Sequence, residues 1–144
     1  MHYHIYCNIK NCSKNYQDAI KEFTKRLSAY CDISLHTGTT LEFPKDCNAN
    51  NHQFIRIVTG PSSYSSEEFA EYIQTLQQSG KSIVHIVVGF SKELFQSAIE
   101  EFIDCSCEQF SITNYNLPAK TVALLFYEQL YRGYTILQGK TYHK

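Results

Sequence analysis

Six consecutive residues, Ile83-Val84-His85-Ile86-Val87-Val88, are apolar apart from one histidine. A run this short, rich in β-branched residues and without polar alternation, reads as a strand covered on both faces, as strands of parallel sheets are. Such a strand requires helices on either side of its sheet, and the rest of the chain supplies them. The hydrophobic period switches repeatedly between two and helical spacing, with no internal repeat and no low-complexity tract. Alternating strands and helices define an α/β domain with a mostly parallel sheet flanked by helices.

From the N-terminus, His2 to Ile9 alternates and is rich in Tyr and Ile, predicting a first strand. Tyr16, Ala19, Ile20, Phe23, Leu27 and Tyr30 then recur at helical spacing and should form one buried face. A second strand is expected near Ile33 to His36. The polar stretch from Thr37 to Asn51, with Gly38 and Pro44, reads as a loop and as the most mobile segment. Phe54 to Val58 predicts a strand whose C-terminal end opens into the 59–63 loop, and loops at that end of open parallel sheets line the ligand crevice. Ser65 with Glu68 makes a capping box, and Phe69, Tyr72, Ile73 and Leu76 give the following helix its apolar face before Gly80 ends it. Ser91 caps a third helix with Leu94, Phe95, Ala98, Ile99 and Phe102 inward and Glu100, Glu101 and Asp104 outward. A last strand is expected near Gln109 to Ile112.

A chain of 144 residues predicts one domain, 1–144, without staples. It has no apolar run of the roughly 20 residues that span a membrane, and its first residues lack the pattern of a signal peptide, so a cytoplasmic protein is expected. Among the six cysteines, Cys7, Cys12, Cys31 and Cys47 are scattered and Cys105 and Cys107 are separated by one residue. No C-x-x-C pair exists, so reduced thiols and no metal site are expected. His85 reads as a satisfied core group, and His2, His4, His36 and His52 show no ligand spacing. The net charge of −1 is a poor match to a long grip on naked nucleic acid. Lys14, Lys21 and Lys25 nevertheless fall on one predicted helix as a candidate phosphate-facing stripe. Asp18 and Glu22 among them keep an ordinary solvated face open as the alternative.

The C-terminal stretch reads differently. Pro118 suits a first helical turn, with Asn116 placed to cap the free backbone donors. Val122, Ala123, Leu124, Leu125, Phe126, Tyr127, Leu130 and Tyr131 leave no broad polar face, which implies burial on several sides and a partner subunit as second cover. Gly133 and Gly139 follow, and the chain finishes on Tyr142, His143 and Lys144, three groups that donate protons or hydrogen bonds.

The string EQLYRGYTILQGKTYHK, from Glu128 to Lys144, resembles the end of the RlmH-type ribosomal RNA methyltransferases of the SPOUT class. The whole chain is similar to that family in the layout of its strands and helices. The resemblance implies an α/β knot with a C-terminal trefoil, a homodimer, and S-adenosylmethionine as cofactor. The implied reaction methylates N3 of a pseudouridine in large-subunit rRNA, on free RNA or on an assembled ribosome. It also implies three cofactor loops whose backbone holds adenine and ribose: Ile57 and Gly60; Val88 and Gly89; and Thr113, Asn114, Tyr115, Asn116, Leu117 and Pro118. Family members usually carry a Gly-Gly pair and a further Gly where this chain has Val88-Gly89-Phe90-Ser91. They also carry His and Arg where it has Ala119 and Ala123. Two readings therefore stand: an active methyltransferase, or a non-catalytic knotted paralogue that binds RNA, ribosomes or itself. Phe90 filling the space beside Gly89 would mark the second.

Methyl transfer from a sulfonium to a ring nitrogen depends mainly on in-line positioning. By motif position, His143 is the general base for the imide proton, and Arg132 stabilises the anionic base. Tyr142 stacks on or hydrogen-bonds to the nucleotide, and Lys144 holds a phosphate. The alternative for Arg132 is neutralisation of helix-end carbonyls.

Overall fold

The computed structural model describes residues 1–61, 63–102 and 104–141. Strands β1 (His2–Asn8), β2 (Asp32–Gly38), β3 (His52–Val58), β4 (Ile83–Val88) and β5 (Ser106–Ser111) alternate with helices α1 (Lys14–Leu27), α2 (Ser66–Gln78), α3 (Lys92–Ile99) and α4 (Ala119–Leu137). The strands form one sheet in the order β2-β1-β4-β3-β5, and every neighbouring pair is parallel. β4 lies in the middle, as its apolar run requires, with Val84, Ile86, Val87 and Val88 at 1 % exposure or less.

Side chains alternate across a strand, so the two faces of the sheet have separate cores. One joins Ile5, Ile55, Val84 and Ile86 to Ile20 and Leu27 of α1, Phe69 and Ile73 of α2, and Phe126, Tyr127 and Leu130 of α4. The other joins Tyr6, Phe54 and Val87 to Phe43, Phe90, Phe95 and Phe102. α2 begins with the expected capping box: Ser65 N donates to Glu68 Oε2 at 2.7 Å and Glu68 N to Ser65 Oγ at 3.2 Å. Ser91 Oγ likewise accepts from Leu94 N at the start of α3. α4 closes in a Schellman turn. Gly139 N donates to Ile136 O, Lys140 N donates to Thr135 O, and Gly139 takes φ +65°.

Several boundaries differ from expectation. α3 ends at Ile99, so Phe102 reaches the second core from the turn that follows, and Leu94 is 52 % exposed rather than inward. β5 starts at Ser106 because parallel pairing with β3 recruits the polar residues Ser106, Cys107 and Glu108, which carry no strand-like pattern. Asn116 does not cap α4; Pro118 occupies the cap position without a side-chain hydrogen bond. β2 extends through Thr37 and Gly38 by pairing with β1. The segment beyond it is anchored by Phe43, whose ring meets Tyr6 and Phe54 edge-on at 4.9 and 4.8 Å.

Candidate functional site

At the carboxyl edge of the sheet, where β3 and β4 end and α4 begins, a cavity of about 410 Å³ opens. Parallel sheets place ligand crevices at this edge. Ile57 and Val58 form one wall, Val88 and Gly89 a second, and Asn116, Leu117, Ala119 and Val122 the third. The concavity depends on Gly89. Its φ of +80° favours glycine, and a Cβ there would stand 2.4 Å from that of Ala119. Asn8 Nδ2 donates to Gly89 O at 3.1 Å, tying the turn to the end of β1.

The loops around the cavity are cross-linked. Gly60 N donates to Thr113 O at 3.3 Å, and the Ser111 hydroxyl lies 3.2 Å from Gly60 O and 3.0 Å from Thr113 O. Thr113 is buried and its hydroxyl accepts from Tyr115 N at 3.1 Å. The first turn of α4 is held from outside by Tyr16, whose hydroxyl donates to Lys120 O at 2.7 Å. Burial raises the Tyr16 pKa, so the phenol stays protonated as a donor.

Of the residues expected at the cofactor loops, Ile57, Val88, Gly89, Asn116 and Leu117 line the cavity. Gly60 and Thr113 instead brace the loops against each other, and Asn114, Tyr115 and Pro118 are exposed. The sequence reading missed Arg56, which lines the cavity and donates through Nε to Phe90 O at 3.4 Å. Its signal was present: a lone charge inside the apolar run Phe54-Ile55-Arg56-Ile57-Val58. Among the described residues no carboxylate forms an ion pair with it. Phe90 borders the cavity but is buried in the core with Phe54, Phe95 and Phe102, leaving the space beside Gly89 open.

Arg132 is remote from this cavity in its own chain. At ~1.5 Å of rise per residue it lies roughly 20 Å along α4 from Ala119. Its Nη2 and Nε meet Glu128 Oε1 at 2.7 and 3.0 Å, a half-buried pair that fixes the guanidinium on the helix surface. Tyr142, His143 and Lys144 lie outside the described residues. Lys14, Lys21 and Lys25 are exposed along α1. No helix among the described residues is long and apolar enough to cross a membrane.

The histidines and one cysteine are gathered in a way that linear spacing hid. His52 Nδ1 lies 2.9 Å from His85 Nε2, and Cys47 Sγ lies 3.5 Å from the same atom. His85 Nδ1 meets the Tyr6 hydroxyl at 3.2 Å, and His4 Nδ1 meets His36 Nε2 at 2.9 Å. Burial, followed by the neighbouring imidazoles, lowers the His85 pKa to about 3 and that of His4 to about 4. Burial raises the Cys47 thiol to about 11. All six cysteines are free.

Comparison with known proteins gives a consistent set of relatives. The family described as "Predicted SPOUT methyltransferase" matches residues 1–143. Ribosomal RNA large subunit methyltransferase H 1 of Thermoanaerobacter sp. (strain X514) is 34% identical, the match covering 100% of both chains. Ribosomal RNA large subunit methyltransferase H of Enterococcus faecalis is 36% identical over 97 residues, 67% of this chain and 58% of that one. The Clostridium botulinum protein of the same name is 27% identical over 88% of this chain and 89% of its own.

Proposed function

We propose, from the premise that the chain belongs to the SPOUT methyltransferase family, that it uses S-adenosylmethionine to methylate N3 of a pseudouridine in large-subunit ribosomal RNA. The observation that carries this reading is the open cavity at Gly89, bounded by the ends of β3 and β4 and the start of α4. Its volume of about 410 Å³ falls within the usual range of small-molecule sites. The missing Cβ at Gly89 lets the first turn of α4 pack at Ala119 against the exit of β4, and this close approach shapes the wall of a cavity with room for a nucleoside-bearing cofactor. When bound, S-adenosylmethionine supplies an electrophilic methyl group on a sulfonium. Val88 and Leu117 provide apolar walls, Asn116 provides an amide, and Arg56 places a cation at the rim for a carboxylate or phosphate. Ala119 and Val122 complete the wall on the α4 side.

The working site is composed of two subunits. Arg132 lies too far along α4 to reach its own cavity, so Arg132 and the tail that follows it serve the cavity of a partner in a homodimer. In that arrangement His143 takes the N3 proton and Arg132 stabilises the anionic base, with Tyr142 on the nucleotide. Lys144 and the exposed lysines Lys14, Lys21 and Lys25 contact phosphates, with free RNA or an assembled ribosome as substrate. The protein works in the cytoplasm as one domain spanning 1–144.

The test measures transfer of labelled methyl from S-adenosylmethionine to ribosomes that lack the modification. Calorimetric titration of the cofactor accompanies it. Micromolar binding and label in large-subunit rRNA are expected. Arg132→Ala should lower the rate about 100-fold, the scale of losing one stabiliser of developing charge, while leaving cofactor affinity unchanged. Absence of both heat and label would favour the non-catalytic paralogue, against which the open space beside Gly89 argues.

A further inference from the structure

We infer that Cys47, His52 and His85 form a binding site for a divalent transition-metal ion of the zinc class, on the face of the sheet opposite α4. The inference is independent of the methyl-transfer reading. The candidate ligand atoms, one from each residue, all lie within 4.8 Å of one another. In tetrahedral zinc coordination, with Zn–N of ~2.0–2.1 Å and Zn–S of ~2.3 Å, adjacent donors stand about 3.3 to 3.6 Å apart. The Cys47 Sγ to His85 Nε2 separation of 3.5 Å fits directly, and the His52 Nδ1 to His85 Nε2 separation of 2.9 Å needs to open by a few tenths of an ångström.

The site is built on rigid elements. His85 occupies the central strand β4 and His52 opens the adjacent strand β3. His52 pairs with Ile83 in the register, two positions before Phe54 pairs with His85, so both imidazoles fall on the same face. The orienting shell is also present. Tyr6 Oη lies 3.2 Å from His85 Nδ1, so an Nδ1–H donating to the phenol leaves the Nε2 lone pair facing Cys47 and His52. Without an ion, Nε2 offers one proton or one lone pair to two facing groups. An ion satisfies all three donors together. A cavity of about 220 Å³, lined by Cys47, Asn48, Asp104 and Cys105 among others, adjoins the triad as an entry path and as room for water in the fourth position. Binding forms the metal–sulfur bond as the Cys47 S–H bond breaks, and the proton leaves to solvent.

The consequence is structural. Cys47 belongs to the irregular segment between β2 and β3, and an ion shared with His52 and His85 clips that segment onto the sheet.

The test is a Co²⁺ titration of the full chain after chelator treatment, followed by displacement with Zn²⁺. The expected result is one ion per chain, with tetrahedral d–d bands, a thiolate-to-cobalt charge-transfer band and release of about one proton per ion. Cys47→Ser should abolish the charge-transfer band and weaken binding at least tenfold, with its far-ultraviolet dichroism in chelator matching that of the parent. His52→Gln should weaken binding while retaining a cobalt–thiolate band, and it supplies the decisive comparison if Cys47→Ser does not fold. Lack of a charge-transfer band in the parent would overturn the inference. So would binding that survives both substitutions, which would assign the ion to His2, His4 and His36 at the exposed side of the same face.

Discussion

The two faces of this sheet differ in what they do with burial. Toward α1, α2 and α4, the strands present Tyr3, Ile5, Ile55, Ile57, Val84 and Ile86, and three helices close over them. Toward α3 and the segment before β3, the same strands present His4, Tyr6, His52, Phe54, His85 and Val87, under one eight-residue helix and irregular chain. A one-residue change of parity along a strand moves a side chain from one environment to the other. Stability is thus concentrated on the dry face, while the polar chemistry collects on the thinner one and at the strand ends. The largest effect that could break this division is on the dry face. Leu130 is fully buried among Tyr3, Phe69 and Phe126, so Leu130→Ala should cost about 2–5 kcal/mol in urea unfolding. A cost below about 1 kcal/mol would show that α4 contributes little as a lid.

The seam between the faces, where β4 ends, should respond less in stability and more in binding. Gly89→Ala places a methyl at φ +80° and 2.4 Å from the Ala119 Cβ, so α4 must shift at its first turn. We expect a loss of about 1–3 kcal/mol from backbone strain. Cofactor affinity should also fall at least tenfold by calorimetry. Unchanged affinity would move the binding site away from this cavity.

The dry face was legible in the sequence because its signal is periodic. The helical spacing of Ile20 and Leu27, the spacing of Phe69, Ile73 and Leu76, and the run through β4 each identify a buried stripe without tertiary knowledge. The wall segments of the cavity were legible too, since strand ends and the turn at Gly89 are marked by composition, and the tail motif identified the family. Arg56 carries a fainter mark, its isolation as the one charge in an apolar strand. The Cys47, His52 and His85 cluster was not legible. Cys47 lies 38 residues from His85, and the two meet only because β3 and β4 pair side by side while an irregular segment returns across their face. Parallel pairing creates neighbours that no local spacing encodes. The same holds for β5, whose Ser106, Cys107 and Glu108 became strand by pairing with β3.

Acid should sharpen the contrast between faces at an intermediate magnitude. In metal-stripped protein, His85 has a folded pKa of about 3, held down by burial and by His52, His4, His36 and His2, against an ordinary value of 6.5. Cys47 and Tyr6 also face it but remain neutral over this range. Below 6.5 the unfolded chain takes up a proton that the folded chain refuses, so this contribution is complete above that pH and is lost as pH falls toward 3. His85 alone should therefore lower the unfolding free energy by about 1–2 kcal/mol between pH 7 and pH 5, and His4, lowered to about 4, adds a loss in the same direction. A flat profile over that interval would mean that the imidazoles are hydrated in solution.

The smallest effects come from two tyrosine hydroxyls, one on each face, and they should have opposite signs. Tyr127 is fully buried on the dry face, and among the described residues its hydroxyl has no partner at hydrogen-bond geometry. Thr24, whose hydroxyl faces the phenol, donates its own proton to Ile20 O at 2.8 Å. Removing a buried, unserved hydroxyl relieves a desolvation penalty while the ring keeps its contacts, so Tyr127→Phe should be neutral or stabilising by up to about 1 kcal/mol. Tyr6 on the other face serves His85 Nδ1, and Tyr6→Phe leaves that nitrogen buried without a partner. A loss of about 1 kcal/mol is expected there. Urea midpoints for the two variants, measured side by side in chelator, should move in opposite directions or at least separate by that amount. If Tyr127→Phe proves the more damaging, Thr24 accepts a hydrogen bond from the phenol, and the dry face holds a polar contact of its own.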